Sequence, residues 1–115
     1  MRRYHHLGIP TTEPRLDEVA IPHLKMHAAG FATSAYGIEW VRFEADCPLP
    51  DLVQTVPHVA FEADDLVTEV SDALARGCRL LIAPNAPSPG VLVAFVEEAG
   101  TPVEFLQIDR SVSDL

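Results

Sequence analysis

A weak internal repeat constrains the fold of this chain more than any other feature, because self-similarity fixes the plan of the whole molecule. The segment His6-Leu-Gly-Ile-Pro resembles His58-Val-Ala-Phe-Glu, each reading His, aliphatic, small, large apolar. In the same way, Ile38-Glu39-Trp-Val-Arg-Phe resembles Val103-Glu104-Phe-Leu-Gln-Ile. Each half therefore opens on a His segment and closes on a Glu segment.

The repeat predicts one domain over residues 1–115, since this length suits a single hydrophobic core. Its first half would span about residues 1–46 and its second about 57–110. Residues 47–56 contain Pro48 and Pro50 and are followed by Pro57. This proline content predicts a linker between the halves.

The two halves differ in length by about one helix. His6 and Glu39 are 33 residues apart, whereas His58 and Glu104 are 46 apart. A helix is predicted at about residues 65–76, with an Asp at its start, apolar residues on one stripe and Gly77 after its end. Residues 10–22 contain three prolines, which predicts that the matching helix of the first half is shortened or missing.

Strand signals dominate the rest of the chain, as judged from β-branched and aromatic content and flanking Gly and Pro. The proline-rich segment 84–90 is expected to be a loop or an edge of the sheet. Strands are predicted at residues 4–9, 27–33, 37–44, 58–62, 79–83, 91–96 and 102–108.

Four side chains of the repeat are candidate metal ligands. Side chains alternate faces along a strand, so His6 would share a face with Gly8 and His5 would point the other way. A carboxylate among apolar strand residues is costly to bury unless it is paired or bound to a metal. Mixed imidazole and carboxylate ligands suit a divalent ion such as Zn, Ni, Fe, Co or Mn. The predicted metal ligands are His6, Glu39, His58 and Glu104.

These motifs together resemble the vicinal oxygen chelate superfamily, which includes glyoxalases, bleomycin-resistance proteins, methylmalonyl-CoA epimerases and extradiol dioxygenases. The strongest match is residues 57–66, Pro-His-Val-Ala-Phe-Glu-Ala-Asp-Asp-Leu, with the opening His6 and the closing Glu104 segments beside it. The resemblance implies an α+β fold in which paired βαβββ modules form curved mixed sheets around a metal and ligand cavity. It implies metal ligands on the first and last strands of each module.

The resemblance implies a metal-dependent lyase or isomerase of glyoxalase type. Its substrate would be a small molecule with adjacent oxygens, converted through an enediolate, with Glu104 first and Glu39 second as the candidate catalytic base. Two alternatives stay open: an iron-dependent ring-cleaving dioxygenase, and a small-molecule binding protein of bleomycin-resistance type that needs no metal. No glutathione-binding residues can be matched.

Charge and composition restrict the partners. A net charge of −9 and a pI near 4.8 argue against nucleic acid and anionic membranes as partners. The sequence has neither an apolar run long enough to span a bilayer nor a recognisable signal peptide, so a cytoplasmic protein with reduced cysteines is expected. A homodimer is expected, because a first module without its helix would leave an apolar face to cover.

Overall fold

The computed structural model describes residues 1–113, which form one mixed sheet with two α-helices against it. The first module contributes four strands and no α-helix, and the helix α1 precedes the second module. The elements in chain order are β1 (Arg2–Pro10), β2 (Val19–Ile21), β3 (Met26–Ala29), β4 (Ile38–Phe43), α1 (Asp51–Thr55), β5 (His58–Ala63), α2 (Leu66–Ala75), β6 (Arg79–Ser88), β7 (Val91–Glu98) and β8 (Thr101–Ile108).

The strand order of this sheet shows the repeat directly. It runs β2-β3-β4-β1-β5-β8-β7-β6, so each module places its first strand beside its last strand, in parallel. The two first strands, β1 and β5, pair antiparallel at the centre and join the modules into one curled α+β sheet. The predicted fold class of paired modules is confirmed.

The second module has the predicted helix. Asp65 caps α2 by accepting a hydrogen bond from the backbone nitrogen of Thr68 at 3.2 Å. Gly77 follows the helix with a φ of +100°, a conformation that glycine adopts without strain. The buried face of α2, which includes Leu66 and Val70, packs on β7 and β8 and forms the main core cluster.

The first module lacks that helix, as its prolines predict. Residues 11–18 contain no helix or strand, and a single 3₁₀ turn at Pro22–Leu24 follows the short strand β2. This segment is held to the sheet by side chains instead. The Arg15 guanidinium lies 4.3 Å from the centre of the Trp40 ring, and Arg42 donates two hydrogen bonds of 2.8 Å to Glu18.

Three predicted segments differ from the structure. Strand β3 ends at Ala29 and not at residue 33, because Gly30 with its φ of +94° starts a turn. Strand β6 continues beyond residue 83 to Ser88 through Pro84 and Pro87. Since β6 is an edge strand with irregular register, this is the edge alternative expected for residues 84–90. The linker, for which the sequence predicts no helix, contains the five-residue helix α1.

Candidate metal centre

The same strand register places the Glu in each module. In the first module, Gly8 of β1 pairs with Glu39 of β4. In the second module, Ala60 of β5 pairs with Glu104 of β8. Each Glu therefore lies beside the residue two positions after its own His. Because side chains two apart share a face, His and Glu of each module rise from the same side of the sheet.

The antiparallel pairing of β1 with β5 then brings the two histidines together. Gly8 lies opposite His58, and Ala60 lies opposite His6. A Cβ at position 8 would lie 2.0 Å from Cε1 of His58, so the imidazole occupies the space that a side chain at this position would need. Gly8 therefore makes room for the histidine of the second module, and Ala60 lies opposite the histidine of the first module.

Three donor atoms converge at the centre of the molecule. The two Nε2 atoms of His6 and His58 are 3.3 Å apart, and Oε1 of Glu104 lies 3.2 Å and 3.0 Å from them. All three residues are buried. Donors bound to one ion at about 2.1 Å lie roughly 3 Å from each other, so these residues could bind a divalent metal.

The electrostatics of this trio favour a charged carboxylate. Burial by itself would raise the pKa of Glu104, but hydrogen bonds from His58 and His6 outweigh it and hold that pKa well below its usual range. Burial likewise lowers the pKa of His6, and the contact with Glu104 more than reverses this effect, so the net shift is upward. A proton on His6 offsets the buried carboxylate, as a metal cation would.

Glu39 lies beside the trio but is not part of it. Its Oε1 is 3.7 Å from Nε2 of His6, which is beyond hydrogen-bond distance. Its side chain is 27% exposed, against 11% for Glu104. Burial raises the pKa of Glu39, and the nearby His6 only partly opposes this effect. The two carboxylates therefore occupy different environments although their strand positions are equivalent.

His5 also faces the site, contrary to the strict alternation expected from the sequence. The β1–β5 register shifts between Tyr4 and His6, and this irregularity turns two successive histidines toward the cavity. The Nδ1 atoms of His5 and His6 are 2.8 Å apart, and the His5 ring stacks on Phe31 with a 4.8 Å centroid distance. A hydrogen bond donated by His6 through Nδ1 would leave its Nε2 available to a metal.

A cavity of about 340 Å³ opens above the four predicted residues and His5. Strands of both modules and the linker form its wall, which is mostly apolar. Sequence reasoning missed two aromatic contacts of the site, Phe31 beside His5 and Phe95 at the edge of the His58 ring, because only the tertiary structure brings them there. The other apolar wall residues are Ile21, Leu24, Met26, Val41, Phe43, Leu49, Val53, Ile82, Pro87, Val91, Val93 and Leu106.

Comparison with known structures supports the fold. The hypothetical protein BH1468 of Bacillus halodurans matches with a TM-score of 0.67 and 16% identity, over 94% of this chain and 95% of that one. Methylmalonyl-CoA epimerase of Mycobacterium tuberculosis matches with a TM-score of 0.65 and 13% identity, over 92% and 87%. The chain therefore shares the fold of these two proteins, which is consistent with the fold expected from the resemblance to the vicinal oxygen chelate superfamily.

Sequence comparisons add no closer assignment. No protein-family model matches the chain, and no curated protein gives a significant match. Within residues 1–113, no helix is long and apolar enough to cross a membrane.

Proposed function

We propose that this protein is a metal-dependent isomerase or lyase of glyoxalase type that acts on a small molecule with adjacent oxygens. The observation that carries the proposal is the convergence of His6, His58 and Glu104 on one point, with Glu39 beside them at the base of a cavity. A pocket of this kind with perturbed titratable groups is the expected form of an active site.

The trio would hold the metal. Its two imidazoles and one carboxylate suit Zn, Ni, Fe, Co or Mn, and the geometry does not distinguish these ions. A divalent ion bound there would act as a Lewis acid and stabilise the negative charge that develops on the substrate oxygens. His5 would keep His6 oriented through the Nδ1 contact.

Glu39 is a better candidate than Glu104 for the base that moves a proton on the carbon next to the carbonyl. Glu104 already accepts hydrogen bonds from both histidines and is almost fully buried. Glu39 has no hydrogen bond to the trio and lies at the cavity. Its raised pKa also makes it a stronger base. We therefore reverse the order expected from the sequence and propose that Glu39 takes the proton and returns it.

A ring-cleaving dioxygenase is the second candidate, and one observation favours it. Two histidines and one carboxylate are the ligands of non-haem iron oxygenases. The trio provides these three groups, and the fourth candidate ligand, Glu39, lies apart from it. That reaction would consume oxygen, whereas an isomerase or lyase of the proposed type would not.

The test uses 2-hydroxyacetophenone as a neutral probe with adjacent oxygens. The protein is loaded separately with each of the five metals and incubated with the probe in D₂O. We expect loss of the NMR signal of the C–H group next to the carbonyl, faster with loaded than with metal-free protein. Glu39→Gln should abolish the difference, whereas Glu44→Gln, which alters a carboxylate outside the cavity lining, should not.

Two other outcomes would favour a different function. Oxygen uptake with the iron-loaded protein and catechol would favour the dioxygenase. Probe binding without exchange or oxygen uptake, with any metal, would contradict both enzymes and favour a binding protein.

We also propose a homodimer. Within residues 10–25, Ile21 and Leu24 line the cavity, while Leu16 and Val19 are exposed, so this segment presents apolar side chains outward. A second chain that buried them would remove this apolar surface from water. Light scattering at micromolar concentration should give twice the chain mass of 12.6 kDa. The mass of a single chain would contradict the dimer.

A further inference from the structure

The cavity above the metal centre has no permanent cation among the described residues that line it. Among residues 1–113, its lining includes no Lys or Arg. Apart from the three histidines and the two glutamates, only Asn85 and Ser88 contribute polar side chains. The Asn85 amide already donates to the backbone oxygens of Ala83 and Val93, at 2.9 and 3.4 Å.

The cations of the chain are engaged elsewhere. The sequence has eight Lys and Arg residues, and seven of them lie within ion-pair distance of carboxylates outside the cavity lining. The eighth, Arg76, follows α2 and lines a separate pocket beneath that helix. The seven paired residues are Arg2, Arg3, Arg15, Lys25, Arg42, Arg79 and Arg110.

An anionic group on a substrate would therefore lack a partner. Glu39 and Glu104 together contribute up to two negative charges, which a divalent ion would only balance. A further carboxylate or phosphate in the apolar part of the cavity would lose its hydration without gaining a counter-charge. The aromatic rings of Phe31, Phe43 and Phe95 instead offer contact to an apolar body.

We infer that the substrate is an uncharged molecule with an apolar body, and that only its metal-facing end carries polar groups. This inference rests on the proposed function for the adjacent oxygens, but its claim about charge depends only on the cavity wall. The cavity volume of about 340 Å³ lies near the lower end of the range for small-molecule sites. An acyl group that carries its own carboxylate, such as that of methylmalonyl-CoA, is disfavoured by the same argument.

The experiment compares two probes that differ in one charge. Binding of 2-hydroxyacetophenone and of 4-(hydroxyacetyl)benzoate to the zinc-loaded protein is measured by calorimetry, with methylmalonyl-CoA as a third ligand. We expect the neutral probe to bind at least about tenfold more tightly than the carboxylate, and the thioester to show no binding. Equal or tighter binding of the carboxylate, binding of the thioester, or binding of neither aromatic probe would overturn the inference.

A cavity variant tests the cause of the preference. Ile82 is a half-buried wall residue on the edge strand β6, so a lysine there places its charge at the cavity without complete burial. Ile82→Lys should reduce the preference for the neutral probe or reverse it, whereas Leu80→Lys, at an exposed position outside the cavity lining, should not. Circular dichroism checks that both variants fold. An unchanged preference in a folded Ile82→Lys protein would contradict the charge argument.

Failure of this inference is distinguishable from failure of the proposed function. Tight binding of the neutral probe without proton exchange would support the substrate class and contradict the proposed reaction. Proton exchange on the charged probe at a rate equal to that on the neutral probe would support the reaction and contradict the substrate class.

Discussion

The two modules place a His and a Glu at equivalent strand positions but give the two carboxylates different environments. In the second module, Glu104 is buried and lies within 3.2 Å of both imidazoles. In the first module, Glu39 approaches only His6, at 3.7 Å, and is partly exposed to the cavity. A duplicated framework can thus supply one carboxylate that holds an ion and another that is free to move a proton.

The segments that cover the sheet also differ between the two modules. Helix α2 packs its apolar face on β7 and β8, and Phe105 of β8, next to Glu104 in sequence, belongs to the core cluster that it forms. The first module is covered by a segment held through the ion pair of Arg42 with Glu18 and the contact of Arg15 with Trp40. The module with the helical cover therefore contains the more buried carboxylate.

The largest expected effect comes from exchanging each carboxylate for an amide. Glu104→Gln should weaken zinc affinity by about 100-fold or more, because losing a ligand should cost at least as much as losing an outer-shell partner. Glu39→Gln should change zinc affinity by less than about tenfold while abolishing proton exchange. Competition with a fluorescent chelator measures both affinities. Equal losses in the two variants would show that the carboxylates play the same role.

The small residues of the two motifs provide the next test. Gly8→Ala puts a methyl group into the His58 ring, so the ring must leave its place, and we expect about 2–3 kcal/mol of destabilisation and weaker zinc binding. The reciprocal change Ala60→Gly removes a buried methyl group and should cost about 1 kcal/mol with zinc binding retained. Urea unfolding measures both. If Gly8→Ala destabilised the protein no more than Ala60→Gly, the close approach of position 8 to the His58 ring would be contradicted.

The pH dependence of the stability of the metal-free protein tests the contact between Glu104 and His6, which joins the two modules. The pKa of Glu104 is lowered from 4.5, so its stabilisation is present above about pH 4.5 and is lost as the pH falls. The pKa of His6 is raised from 6.5, so its stabilisation is present below about pH 6.5 and is lost as the pH rises through the folded value. The pair should stabilise the protein most between these values.

Chemical unfolding of the EDTA-treated protein across pH measures this effect. Glu104→Gln should lose the extra stability in that window and flatten the curve. A wild-type curve parallel to that of the variant would show that the pair contributes nothing to folding.

A smaller effect is expected at His5, which has no histidine counterpart because Pro57 occupies the equivalent position in the second module. His5→Phe keeps a ring against Phe31 but removes the Nδ1 contact with His6. Zinc affinity should fall by roughly tenfold. His27→Gln, which removes a histidine paired with Glu44 outside the cavity lining, should leave the affinity unchanged. A similar fall in both variants would deny His5 a positioning role.

Much of this architecture could be predicted from local patterns. The repeat places His6, Glu39, His58 and Glu104 at matching strand positions, and three prolines in residues 10–22 rule out a long helix. These features depend on alternation along a strand and on the chemistry of proline, which act over a few residues.

What could not be predicted depends on contacts between the modules. The inward turn of His5 results from a register shift against β5, which no pattern within β1 reveals. The unequal environments of Glu39 and Glu104 are likewise not visible in the sequence, since both glutamates have similar apolar neighbours. Helix α1 could not be predicted either, because its five residues in a proline-flanked linker are too few to show a helical period.

The central claim is that both modules together hold one metal ion, and elemental analysis tests it most directly. Wild-type protein, His6→Ala and His58→Ala are loaded with zinc, freed of excess ion by gel filtration and measured for metal per chain. We expect one ion per wild-type chain and almost none in either variant, because each variant removes one module's imidazole from the trio. A metal-free wild type, or full occupancy in either variant, would contradict the claim.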